Sequence, residues 1–127
     1  MPHFQVRVAE QHLDGTAEPK LIAGLTDAVT QVFGERMRAL VVVELFGVPD
    51  GRWGVGGVPV DGPAPDITLH MREGAFHRPE IPDAPARLIA AATEAVTAAL
   101  GATLGAGATV RLVGVPAGRS GVGGQVV

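Results

Sequence analysis

Apolar and polar positions alternate at two places in the chain. Phe4, Val6 and Val8 are interleaved with His3, Gln5 and Arg7, and Ile67, Leu69 and Met71 with Thr68, His70 and Arg72. A period of two over such a run predicts a strand with one buried and one open face. A different spacing follows each run. Leu21, Ile22, Leu25, Val29, Val32 and Phe33 fall on one face of a helix of about 15 residues. Pro19 suits its first turn and Gly34 its C-terminal cap. A second helix is expected to start at Asp83 as N-cap, with Pro85 just inside, and to close at Gly101. Leu40 to Phe46, and more weakly Thr109 to Val113, read as the strands after the two helices.

The two halves of this pattern are copies. The segment Gly47 to Gly57 recurs as Gly114 to Gly124, with Gly-Val-Pro, Gly-Arg and Gly-Val-Gly-Gly in the same places. Leu21-Ile22-Ala23 matches Leu88-Ile89-Ala90 at the same offset, and Gly34 matches Gly101. Two separate segments sharing one offset imply a duplicated unit. The chain therefore reads as one domain of two repeats, residues 1–61 and 65–127, joined at Gly62-Pro63-Ala64-Pro65. The loop before the second helix is longer and stiffened by Pro79, Pro82 and Pro85. A helix between two strands is a right-handed crossover that makes those strands parallel. Two such units joined edge to edge predict an α/β (α+β) two-layer sandwich with internal pseudo-twofold symmetry. If the first strands of the units pair antiparallel, Pro2 lies near Arg72 and Pro65 near Ala9.

Composition narrows the function. With 46% hydrophobic residues the chain is not disordered, and with no cysteine it has no disulfide, zinc ribbon or thiol chemistry. A net charge of −3, thinly spread basic residues, one Trp and no Tyr argue against nucleic acid. Leu88 to Val110 is the most membrane-like stretch. It carries Glu94 and is broken at Gly101, Gly105 and Gly107, so the expectation is a buried small-residue helix followed by a loop. No targeting segment is visible, and a cytoplasmic protein without membrane contact is expected.

Proline directly after the initiator methionine, a β-α-β unit, and an aromatic before Gly-x-Gly-Gly now coincide. This combination resembles the tautomerase superfamily, whose type member is 4-oxalocrotonate tautomerase. The resemblance rests on Pro2 and its strand, the Leu21–Phe33 helix, Leu40–Glu44 and Arg52-Trp53-Gly54-Val55-Gly56-Gly57. It extends over nearly the whole chain because the second unit repeats the pattern. It implies a tautomerase fold like that of macrophage migration inhibitory factor, a homotrimer of six β-α-β units, small carboxylate substrates held by arginines, and no cofactor.

The chemistry of an N-terminal proline has its own physical basis. Once the initiator methionine is trimmed, Pro2 carries a free secondary amine on a rigid ring. An α-amino group has an ordinary pKa of about 7.7–8.0, and burial or a nearby cation lowers it toward neutrality, where a base for carbon acids works best. While Met1 is attached, that nitrogen is a tertiary amide and cannot act. Arg72 stands at the position of a substrate-binding arginine in the similar chloroacrylic acid dehalogenases. Other arginines of the family fall here on His12, Ala75 and Ala39, so Arg7, Arg111 and Arg119 are the candidate substitutes. Trp53 is a candidate pocket or interface residue, and its counterpart in the second copy is Ser120.

The leading expectation is a tautomerase that uses Pro2 as general base for enol–keto conversion of a small 2-oxo acid. A dehalogenase or decarboxylase using the same proline is the alternative within the family. It is less favoured because no Asp or Glu follows Glu94 to activate water, and no catalytic aspartate stands out. A trimeric binding protein without activity is the alternative outside enzymes. His70, Glu73, His77 and Glu80 have metal-like spacing but span a strand end and a loop, so surface residues and no metal are expected. Gly54 to Gly57 opens no helix and is not a dinucleotide loop.

Overall fold

The computed structural model describes residues 1–127. Strand β1 (His3–Ala9) leads through α1 (Ala17–Phe33) to β2 (Val42–Val48), followed by the hairpin β3 (Trp53–Val55) and β4 (Val58–Val60). The second half repeats the order: β5 (Asp66–Arg72), α2 (Ala84–Leu100), a short α3 (Ala102–Ala106), β6 (Thr109–Val115), then the hairpin β7 (Gly121–Val122) and β8 (Gln125–Val126). The main sheet runs β2-β1-β5-β6. β1 and β2 are parallel, β5 and β6 are parallel, and β1 and β5 meet antiparallel at the centre. That arrangement is the expected two-layer sandwich with a pseudo-twofold between the units.

Alternation along the central strands sorts their side chains. Phe4, Val6, Val8, Ile67, Leu69 and Met71 are buried under both helices, where they meet Leu21, Leu25, Val29, Leu88 and Val96. Removing each such side chain from water contributes about 1.5–3 kcal/mol, so this layer holds the sheet to the helices. The helices themselves approach closely at Gly24, where a Cβ would lie 3.1 Å from Ala95 Cβ. Duplication extends to backbone conformation. Gly34 and Gly101 close their helices with φ of 100°, each N–H donating to a threonine carbonyl at 2.8 Å. Gly56-Gly57 and Gly123-Gly124 turn the two hairpins with paired positive φ values, a geometry that matches strand twist and favours glycine.

Four details depart from the expected elements. Ile22 is 44% exposed and lies off the buried face of α1. Residues Glu35–Leu40 form a 3-10 turn, so β2 begins at Val42 rather than Leu40. The segment after Gly101 is helical as α3, because Gly105 has no side chain and can pack on Thr97, where a Cβ would lie 1.9 Å from Oγ1. Asp83 occupies the N-cap position but sits at φ 56° and makes no capping hydrogen bond. No helix is long and apolar enough to cross a membrane.

At α1 the capping group is Asp14. Its carboxylate accepts from Thr16 N at 2.9 Å, Thr16 Oγ1 at 2.8 Å and Ala17 N at 3.1 Å. The side-chain bond from Thr16, then the two backbone bonds, lower its pKa from 3.8 to about 2. A depressed carboxyl pKa stabilises the fold above the unfolded value and is lost as pH falls through the folded one. Asp14→Ala is therefore expected to lower the melting temperature at neutral pH, and the gap to wild type is expected to close as pH falls from about 4 to about 2. A gap that stays constant across that window in thermal melts would remove the cap from the pH response.

Candidate active site

The candidate site forms where the start of β1 meets the end of β5. The antiparallel register pairs His3 with His70 and Gln5 with Thr68. Extended by one residue, it sets Pro2 level with Met71. The expected pairing of Pro2 with Arg72 is thus off by one residue, and Arg72 is instead level with Met1. Alternation then separates the groups usefully. The ring of Pro2 is buried with the core, while Met1 and Arg72 fall on the opposite face. The Pro2 carbonyl accepts from Val42 N at 2.9 Å, which fixes the first residues to the sheet. The same bond recurs from Thr109 N to the Pro65 carbonyl at 2.9 Å. Pro65 is equally buried, but its nitrogen is joined to Ala64, so only one of the two prolines can ever be a free amine.

A cleft of about 430 Å³ opens at this point. Met1, His3, Gln5 and Val42 form one wall, and His70, Met71, Arg72 and Val115 another. Ser120, Val122 and Val127 close it from the β7–β8 hairpin. Arg72 makes no ion pair and also borders a second cavity of about 480 Å³ beneath the same hairpin, beside Ala75, Val115 and Pro116. The cleft therefore holds an uncommitted guanidinium, the group best suited to grip a carboxylate through paired hydrogen bonds.

The remaining candidates do not line this cleft within one chain. Arg7 points onto the helix-free face with its guanidinium 5.4 Å from the centre of the Phe46 ring. Arg111 pairs with Asp66 at 2.7 Å. Arg119 is exposed in the turn before β7, its N–H donating to the Pro116 carbonyl at 3.2 Å. Trp53 starts the other hairpin, and the copy that faces Arg72 carries Ser120 in its place. Arg38, next to Ala39 in the turn before β2, is bonded to Glu35 and Asp27, whose carboxylates push its pKa up. Of the metal-like residues, Glu73 pairs with His77 at 2.8 Å and Glu80 with Arg78 at 2.7 Å, and no three such groups converge.

One residue of the cleft, His3, was not singled out by the sequence reading, and His70 entered it only within a metal-like spacing. His3 and His70 share the helix-free face with Arg72, directly opposite one another across the central strand pair. His3 Nε2 is bonded to Glu44 of β2. Strand parity carried this signal: once β1 and β5 bury Phe4 and Leu69, His3 and His70 must share the other face.

No family model and no curated protein matches this sequence. Solved structures do. A fused 4-OT, solved as a wild-type asymmetric trimer, is 26% identical at a TM-score of 0.79, covering 98% of this chain and 94% of its own. Pt0534 inactivated by 2-oxo-3-pentynoate is 25% identical at a TM-score of 0.78 with the same coverage. A macrophage migration inhibitory factor-like protein from Entamoeba histolytica, 10% identical, shares the fold at a TM-score of 0.72 over 99% of this chain and 98% of its own. These spans are long enough to take in both β-α-β units. The duplicated β-α-β sandwich with proline at position 2 is thus the architecture of the fused 4-OT structures of the tautomerase superfamily, which it resembles over nearly its whole length.

Proposed function

We propose that the protein is a tautomerase in which Pro2, freed by removal of Met1, moves the carbon-bound proton in enol–keto conversion of a small 2-oxo acid. One observation carries this reading: Met1 and Arg72 line one cleft. Removing Met1 turns its peptide bond to Pro2 into a secondary amine at that spot, close to an unpaired cation. The guanidinium grips the substrate carboxylate and also disfavours protonation of the amine. Pro2 and Arg72 are thereby the base and the anchor of one site per chain. The two-unit neighbours support the reading, as does inactivation of one of them by an acetylenic 2-oxo acid.

Intact-mass measurement tests the base directly. The mature protein is expected to lack Met1, and incubation with 2-oxo-3-pentynoate to add one equivalent at the Pro2 nitrogen. A chain that keeps Met1, or takes up no label while folded, overturns the proposal. Dehalogenation and decarboxylation stay secondary: Glu44, the carboxylate beside His3, is already engaged by that histidine, and Glu73 is paired with His77.

We further propose that the chain works as a homotrimer. The helices cover one face of the sheet only. On the other, Val42, Phe46 and Val113 remain exposed, and the hairpin valines Val55, Val58, Val122 and Val126 project with 60–71% of their surface accessible. Closed cyclic assembly would cover this face and satisfy the open edges together. It would also allow the Trp53 hairpin to approach a neighbouring copy's cleft. Fused 4-OT neighbours form trimers. Light scattering is expected to give about 39 kDa, three times the 13.0 kDa chain. Truncation after Gly118 is expected to give monomers or aggregates. A monodisperse monomer of the full chain at micromolar concentration would rule the assembly out.

A further inference from the structure

We infer that His3, held by Glu44, is the second proton-transfer group of the cleft, serving the substrate oxygen while the Pro2 nitrogen serves carbon. This rests on the tautomerase reading above and assigns the half of the reaction that a single amine leaves open.

The placement comes from three strands. Row by row across the helix-free face, Val42, His3, His70 and Val113 stand side by side, and Glu44, Gln5, Thr68 and Arg111 form the next row. His3 lies in the cleft wall one residue from Pro2. Its Nε2 meets Glu44 Oε1, and both side chains are 39% exposed. A carboxylate on one ring nitrogen orients the imidazole and fixes which nitrogen faces it. Glu44 is itself held below the usual carboxylate range, chiefly by its bond to His3. The charged and titratable groups around His3 are Glu44 from β2, His70 and Arg72 from β5, Arg7 farther along its own strand, and the terminal amine. The helices present none to this face. His70 has no hydrogen-bonded carboxylate, so only His3 has the partner needed to carry a proton in turnover.

The step balances without any co-reactant. In ketonisation, neutral His3 takes the enol O–H proton, and the oxygen's electrons form the C=O bond. The C=C pair takes the proton from the Pro2 ammonium, forming the new C–H bond. The imidazolium and the free amine are then reset by exchange with water.

The test is a pH profile of kcat and kcat/KM for ketonisation of enolised phenylpyruvate, with His3→Asn, Glu44→Gln and His70→Asn beside wild type. His3→Asn is expected to lower kcat about a hundredfold with KM within a few fold, and to erase the acidic limb of the profile. Glu44→Gln is expected to lower kcat while leaving KM within a few fold, since the ring loses the carboxylate that orients it. His70→Asn is expected to keep the limb. Wild-type kcat in His3→Asn, or a limb lost with His70 instead, overturns the inference. A Pro2→Ala control separates the two levels: if it abolishes activity while His3→Asn does not, the tautomerase reading stands and the role of His3 falls. Circular dichroism of each variant excludes a folding defect, and Glu44→Gln, which removes no side-chain volume, keeps the test open if His3→Asn fails to fold.

Discussion

Pro2→Ala is expected to abolish ketonisation of enolised phenylpyruvate by the mature protein. The backbone of residue 2 is pinned by its carbonyl bond to Val42 and its ring is buried against the core, so the nitrogen is presented by a rigid start of strand. Alanine keeps an amine but loses the ring that fixes φ and the secondary-amine basicity. It also leaves a gap in a buried position, so the amine gains freedom just where proton transfer needs alignment. General acid–base groups contribute about 10²–10⁴-fold, and loss of both position and basicity draws on that whole range. A Pro2→Ala variant as fast as wild type would end the proton-transfer reading. So would a mature wild-type protein inert toward every enol acid. The pseudo-equivalent Pro65→Ala serves as control for packing, since that proline has the same burial and the same carbonyl bond but no free nitrogen.

Arg72→Ala is expected to raise KM by roughly ten- to a hundredfold, because a charge-assisted hydrogen bond to a carboxylate is worth about 1.5–3 kcal/mol. Arg72 has no ion pair to lose, so the substitution removes a binding group without uncovering a partner charge. Arg36 is the comparison. It is exposed near Phe33 and Met37, remote from the cleft, and Arg36→Ala is expected to leave KM near wild type. Steady-state kinetics with both variants decide the matter, and equal effects would mean that Arg72 does not face the substrate. The Pro2 amine offers a second readout: without the guanidinium its pKa is expected to rise, moving the pH profile upward.

Part of this candidate site is legible in the sequence. The repeat placed Pro2 and Pro65 in equivalent positions, and an antiparallel meeting of β1 with β5 was one way of joining two such units edge to edge, the way the structure takes. That alone put Pro2 in the neighbourhood of Arg72. His3 and His70 were equally available from strand parity, but their polar character on an open face reads as ordinary surface until a cleft is seen above them. Trp53 drew attention as the single tryptophan. Which of the two hairpins closes over the cleft could not be read from spacing, because both have the same glycines and the same turn.

Local order in this protein is written locally. Alternation in β1 and β5, the apolar face of α1, and the glycines that end the helices and turn the hairpins each depend on side chains and backbone freedom within a few residues. The duplication makes each of them visible twice. Longer-range choices depended on how the parts pack. The one-residue register between β1 and β5 follows from burying Phe4 and Leu69 in one layer beneath two helices. The four extra residues between partner strands in the second unit are absorbed before α2, which leaves Asp83 at a positive φ instead of capping the helix. Which hairpin closes over Arg72 is decided by the path of β6, whose end at Val115 runs beside Arg72 and delivers Ser120 and Val122 to the cleft. Periodicity encodes which face a residue takes, whereas cross-strand neighbours are set by the shared core, and the chemistry of this cleft arises from those neighbours.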